Sequence, residues 1–178
     1  KKYNNMKNIV ATLSLFFATA LSAQVAIGKT SISSPAVSLE FYDNADNTRG
    51  IILPWVTSTA AVTGAVNGTI VYNTADRKVY VKYASGWRDL SVDNTGTVTT
   101  TLQDSLTDQD TAKVLIGGDP ATDTTPGILV LADTNKAMVL PKVASPHLNI
   151  VNPSPGMMVY DTTKKQLAVF NGTVWSFW

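Results

Sequence analysis

Gly68-Thr69-Ile70-Val71-Tyr72-Asn73-Thr74 and Gly156-Met157-Met158-Val159-Tyr160-Asp161-Thr162 are two versions of one segment. The correspondence runs on through Val79-Tyr80-Val81 against Leu167-Ala168-Val169 and ends with Trp87 against Trp175. Upstream, Ile51-Ile52-Leu53-Pro54 is matched by Met138-Val139-Leu140-Pro141, and Ile27-Gly28 by Ile116-Gly117. The offset stays near 88 positions, which marks a duplicated module rather than a short solenoid repeat. What recurs is apolar residues, glycine, proline and aromatics, without a repeated acid, base or nucleophile. A scaffold copied without chemistry points to a structural or binding protein.

Each copy reads as short strands divided by turn residues. Val37, Leu39 and Phe41 alternate with Ser38 and Glu40, which predicts a half-buried strand. The runs before Pro54 and Pro141 should end there, because proline removes a ladder donor. Thr69 to Asn73 should pair with Lys78 to Tyr83, and Met157 to Asp161 with Gln166 to Phe170, each across four turn residues. Further strands follow at Trp87 to Leu90 and Thr173 to Phe177. Asn171-Gly172 before the last of them predicts a type I′ turn. Gly64, Pro146 and Pro153 keep any helix short. The expected fold is all-β: two small modules, each ending in a three-stranded antiparallel meander. Gly68, Tyr72, Trp87, Gly156, Tyr160, Asn171, Gly172 and Trp175 are its structural residues.

The first 23 residues read as a signal peptide. Lys1, Lys2 and Lys7 precede an apolar stretch from Ile9 to Leu21, and small residues follow up to Ala23, the expected cleavage point, with Ala20 as the alternative. The apolar run is short for a membrane span. The remaining parts are module one at 24–91, a Thr- and Asp-rich connector at 92–113, and module two at 114–178. Composition gives the connector no core of its own, so it should be extended and exposed. Removing the leader leaves 11 basic side chains against 13 acidic, with no basic block, and nucleic acid loses its electrostatic footprint. There is no cysteine, hence no disulfide and no thiolate metal site. Modules of this size are marginal without staples and should lean on each other or on other chains.

Chemistry is sparse. His147 is the only histidine and sits between Pro146 and Leu148, a loop setting; a triad would also need a nucleophile and an orienting acid beside it, which sequence alone does not place. Glu40 is the only glutamate, so paired-carboxylate catalysis would fall to aspartates whose contexts suit Asx turns. These residues predict no enzyme. Asp104, Asp108 and Asp110 crowd the connector, and calcium is the one cofactor they could attract, although their spacing lacks the glycine and glutamate of an EF-hand loop. Trp55 has no tryptophan counterpart, since Lys142 takes its place. With Tyr83 it is the candidate for stacking on sugar rings.

The motifs Ile51-Ile52-Leu53-Pro54-Trp55, Gly-x-x-Val-Tyr-Asn/Asp-Thr and a closing tryptophan resemble secreted proteins of flavobacteria and their relatives. In these a leader precedes copies of a module that starts near Val25-Ala26-Ile27-Gly28. Related modules are similar to parts of tail-fibre-like and adhesin-like surface proteins. The resemblance implies an exported, cell-surface or outer-membrane-associated structural or adhesive protein; the periplasm is the other possible location. It carries over no catalytic residue. The alternative reading is a carbohydrate-binding module. Open strand edges near Val25 to Ile27 and Thr173 to Phe177, with Phe177 and Trp178 beside the latter, predict self-association or contact with other surface proteins.

Overall fold

The computed structural model describes residues 24–107, 109 and 111–178; the expected leader and Asp108 and Asp110 lie outside them. The first copy holds β1 (Val25–Ile27), β2 (Val37–Phe41), β3 (Ile51–Ile52), β4 (Trp55–Val56), a 3-10 turn (Thr59–Ala61), β5 (Ile70–Asn73), β6 (Lys78–Tyr83) and β7 (Gly86–Asp89). The second holds β8 (Val114–Ile116), β9 (Leu129–Leu131), β10 (Ala137–Val139), β11 (Lys142–Val143), a single helical turn α1 (Pro146–Asn149), β12 (Met157–Asp161), β13 (Gln166–Phe170) and β14 (Trp175–Phe177). The fold is all-β, as the turn-rich sequence predicts.

Duplication in sequence becomes duplication in hydrogen bonding. Pro54 ends one apolar run and its carbonyl accepts from Tyr72 N–H; Pro141 does the same for Tyr160, both at 2.9 Å. A short parallel strand therefore enters each meander, β4 beside β5 and β11 beside β12. Antiparallel pairs β5–β6–β7 and β12–β13–β14 complete the meanders. The first turn of each is held in one way. Asn73 Oδ1 accepts from Ala75 N–H, and Asp161 Oδ1 accepts from Thr163 and Lys164 N–H. Arg77 and Lys165 then take left-handed φ values of 62° and 58° at equivalent positions.

The copies interlock. β10 of the second copy pairs in parallel with β2 of the first, and β3 of the first pairs antiparallel with β12 of the second. One core joins Leu53, Tyr72, Val79 and Leu90 to Met158 and Val169, with Met138 and Leu140 packed against it. A second, smaller core holds Val143, Ile150, Val159 and Ala168. A pair of marginal modules thus becomes one larger apolar interior, the arrangement that a chain without staples requires.

Three expectations change. β2 is not half-buried: it lies between two parallel neighbours, and Val37 through Glu40 are all buried. Its polar residues are covered because they have partners. Ser38 donates to Asp133 at 3.0 Å, and Glu40 accepts from Lys29 Nζ at 2.9 Å and Ser33 N–H at 2.7 Å. Nor does Asn171-Gly172 form a type I′ turn. Phe170 faces Trp175 across four residues, and Gly172 has a positive φ (102°) while Asn171 does not. An Asx arrangement supplants it: Asn171 Oδ1 takes the N–H groups of Thr173 and Val174. The connector, finally, is not exposed throughout. Gly96 is buried and Val98 packs against the larger core.

Candidate assembly surface

The junction between the copies is built around Tyr72. Its ring is fully buried, and its hydroxyl donates to Asn171 O at 2.7 Å. Burial lifts the phenol to about 12, so it stays a donor across the working pH range. Trp55 tilts against it with centroids 6.1 Å apart and donates its indole N–H to Pro155 O at 2.9 Å. Gly156 lies under this pair. A Cβ added there would meet Tyr72 Cβ at 2.8 Å, so only glycine allows the close approach.

The connector seals the opposite flank. Asn171 Nδ2 donates to Asp93 at 3.0 Å, Thr97 Oγ1 to Gly172 O at 3.0 Å, and Thr173 Oγ1 to Thr95 O at 3.0 Å. Gly96 and Gly172 are the contact points. A Cβ on the first would stand 2.2 Å from Asn171 O, and one on the second 1.9 Å from Thr97 O. Ser176 and Trp178 reach back to the carbonyls of Ser91 and Leu90.

Each predicted residue can now be placed. Trp55 is no open sugar platform: its ring and N–H belong to the junction, and only Tyr83 of the pair is exposed. Asp104 is exposed in the connector, and among the described residues no group of three or more His, Cys, Asp or Glu could hold a metal. Asp119 and Asp123 each accept from the N–H two residues on, and Asp123 also pairs with Lys113 at 2.7 Å. His147 sits on α1, edge-on to Phe177 with centroids 5.9 Å apart.

Trp87 is half-buried under Lys82, Trp175 packs on Phe170 at 5.2 Å, and Tyr160 is half-buried. Gly68 is exposed with nothing near its Cβ position. Along the edge from Thr173 to Phe177, expected open, β14 pairs only with β13; residues 90–95 meet it through side-chain hydrogen bonds, and Thr173, Val174 and Trp178 stay exposed. Phe177 packs into the smaller core, and Arg88 lies 5.6 Å from the Trp178 ring.

Several organising residues carried no motif. Lys29 bridges Glu40 and Asp43, and Lys142 reaches Asp43 at 3.3 Å, a charge chain linking the copies. The lysine that replaces Trp55's counterpart was its one sequence signal. Asp161 also accepts from Ser145 N–H; burial raises its pKa, but three backbone donors outweigh this and hold it below the ordinary value. A groove of about 580 Å³ lies beside Phe41, Tyr42, Arg49 and Pro141, without a cluster of catalytic groups.

Bare apolar side chains are the remaining resource. Among the described residues seven exposed large apolar side chains lie in the second copy, Ile128, Leu129, Leu148 and Val151 among them, against five in the first, including Ile52 and Val66.

Residues 119–178, about a third of the chain, match a family model described as a phage tail like trimerisation region. The match covers β9 through β14 and fits the tail-fibre-like character read from the motifs. Comparison with curated proteins finds no match, and neither does comparison with solved structures. No helix among the described residues is long and apolar enough to cross a membrane.

Proposed function

We propose that this chain is an exported, fibre-like structural protein whose C-terminal region holds three copies together. Its role at the cell surface is adhesive rather than catalytic. The observation that carries the reading is the match of residues 119–178 to a trimerisation region. Two features support it. Ile128, Leu129, Leu148 and Val151 leave apolar surface bare within that stretch, and the cysteine-free chain has no other staple. A closed three-fold assembly would bury this surface while leaving no unpaired copy.

Export rests on the basic, apolar and small-residue order of positions 1–23. Light scattering on purified residues 24–178 tests assembly: the mass should be three chains, and a monomer at tens of micromolar would overturn it. Fractionation of the native host with an antibody tests location. Surface or secreted protein beginning near Gln24 is the expected result, and a full-length cytoplasmic pool would refute export.

A further inference from the structure

The two copies contact each other through a rule that the chain applies only once. A β2-type strand of the first copy takes β10 of the second, and the β3-type strand of the first lies on the meander of the second. Applied again from the second copy onward, the rule would place a β3 against β9 and a β5 against β10. Among the described residues, no strand fills those places: β9 pairs only with β8, β10 only with β2, and β3 only with β12.

The unused edges bear the marks of missing partners. Aligning Ile27–Phe41 with Ile116–Leu131, which pair alike in β1–β2 and β8–β9, makes Ile128 and Leu129 the equivalents of Ser38 and Leu39. Ser38 and Leu39, under β10, are 0% and 1% exposed; Ile128 and Leu129, under nothing, are 65% and 47% exposed. An isoleucine stands bare where the covered copy needs only a serine. Gly156, under β3 and Tyr72, is buried, whereas its equivalent Gly68 is exposed with no atom within 4 Å of its Cβ position. Ile52, on the free side of the junction, is 52% exposed.

We infer that a second copy of this chain occupies these edges, head to tail. Its β3 lies along β9, and the β5 edge at Thr69 and Ile70 lies along β10. This deepens the trimer reading and rests on it: three copies joined so would use the free β3, β5, β9 and β10 edges of each chain once around a ring. It also enlists strands outside the matched region, namely β3 and β5. Register follows from the covered junction. Ile52 faces Met157 and Ile51 faces Met158, so Val139 should face Thr69 of the next copy and Met138 its Ile70. Directly opposed antiparallel residues stand within disulfide reach.

The absence of native cysteine makes the test clean. Full chains carrying Thr69→Cys and full chains carrying Val139→Cys are prepared separately, mixed under exchange conditions and oxidised. A covalent dimer in the mixture, with at most traces from either variant alone, is the expected result. Equal cross-linking of Thr69→Cys with itself would overturn the head-to-tail order. Three-chain mass by light scattering without a mixed dimer would overturn this inference while leaving the trimer standing. Mixed dimers together with a scattering mass that rises past three chains with concentration would support the edges but break the closed trimer. Monomeric mass with no mixed dimer would overturn both. As a control on the apolar edge, Ile128→Lys should raise the half-dissociation concentration about tenfold, with an unchanged fold by circular dichroism. An unchanged concentration would contradict the placement of β3 on β9.

Discussion

Glu40 shows how little a residue's type says about its depth. It is the chain's only glutamate and lies fully buried in β2. Burial raises its pKa, but the Lys29 ammonium and Ser33 N–H outweigh that and hold it below the ordinary value. Asp43 is lowered chiefly by its hydrogen bond to Lys29, and Lys29 is raised chiefly by Glu40. A lowered carboxyl stabilises the fold above its unfolded pKa of about 4 and loses that contribution as pH falls through its folded value. A raised lysine stabilises below about 10.4 and loses its contribution as pH rises through its folded value. Denaturant midpoints should therefore hold between these limits and fall outside them. In Glu40→Gln the acid decline should be shallower; an unchanged acid limb would show that Glu40 is not part of it. Removing the carboxylate altogether, as Glu40→Ala, should cost about 1–3 kcal/mol because Ser33 N–H loses its acceptor while Lys29 keeps Asp43.

Gly172 belongs to the same scale. Its positive φ and its contact with Thr97 act together, so Gly172→Val should destabilise by about 2–4 kcal/mol. Gly68→Val shares the positive φ (90°) but meets open space within its own chain, so in the dissociated chain it should cost only the backbone strain, about 1–3 kcal/mol. Thermal melts of the two variants separate the effects. Equal losses would mean that the connector does not press on the turn.

At the scale of elements, the strands that repeat were legible and the strands that cross were not. Apolar alternation, proline stops and four-residue turns located both meanders, because these are local signals that each copy carries in full. The crossings β2–β10 and β3–β12 depend on residues about 100 apart, and periodicity contains no such information. Asn171-Gly172 misled for a related reason. The dipeptide favours a tight turn in isolation, yet Asp93 and Thr97 hold Asn171 and Gly172 in a wider loop. Of the proposed ligand residues, Trp55 looked free because it had no counterpart, and that singularity reflects its place at a junction used once.

The β3–β12 crossing has its own test. A Cβ at Gly50 would meet Val159 Cγ1 at 2.6 Å and Met157 Cγ at 2.7 Å, so Gly50→Val should lift β3 from β12 at about 1–3 kcal/mol. Amide exchange should quicken around Met157 and Met158. Unaltered protection there would contradict the pairing.

For the whole molecule, duplication matters because it yields one unit with leftover edges rather than two beads. The larger core draws residues from both copies, so residues 24–91 and 114–178 expressed apart should lack a cooperative transition, while the joined chain shows one. A folded, cooperative 114–178 fragment would show that the exchange of strands is dispensable. The same logic leads outward. What one copy does to the next within the chain, a chain can do to its neighbour, and the match over residues 119–178 points to three. The number of chains per particle is therefore the most direct measurement, and native mass spectrometry of purified residues 24–178 reads it without assumptions about shape. The account predicts a single dominant species of three chains that persists on dilution through the micromolar range. A particle of one chain at every concentration would contradict it.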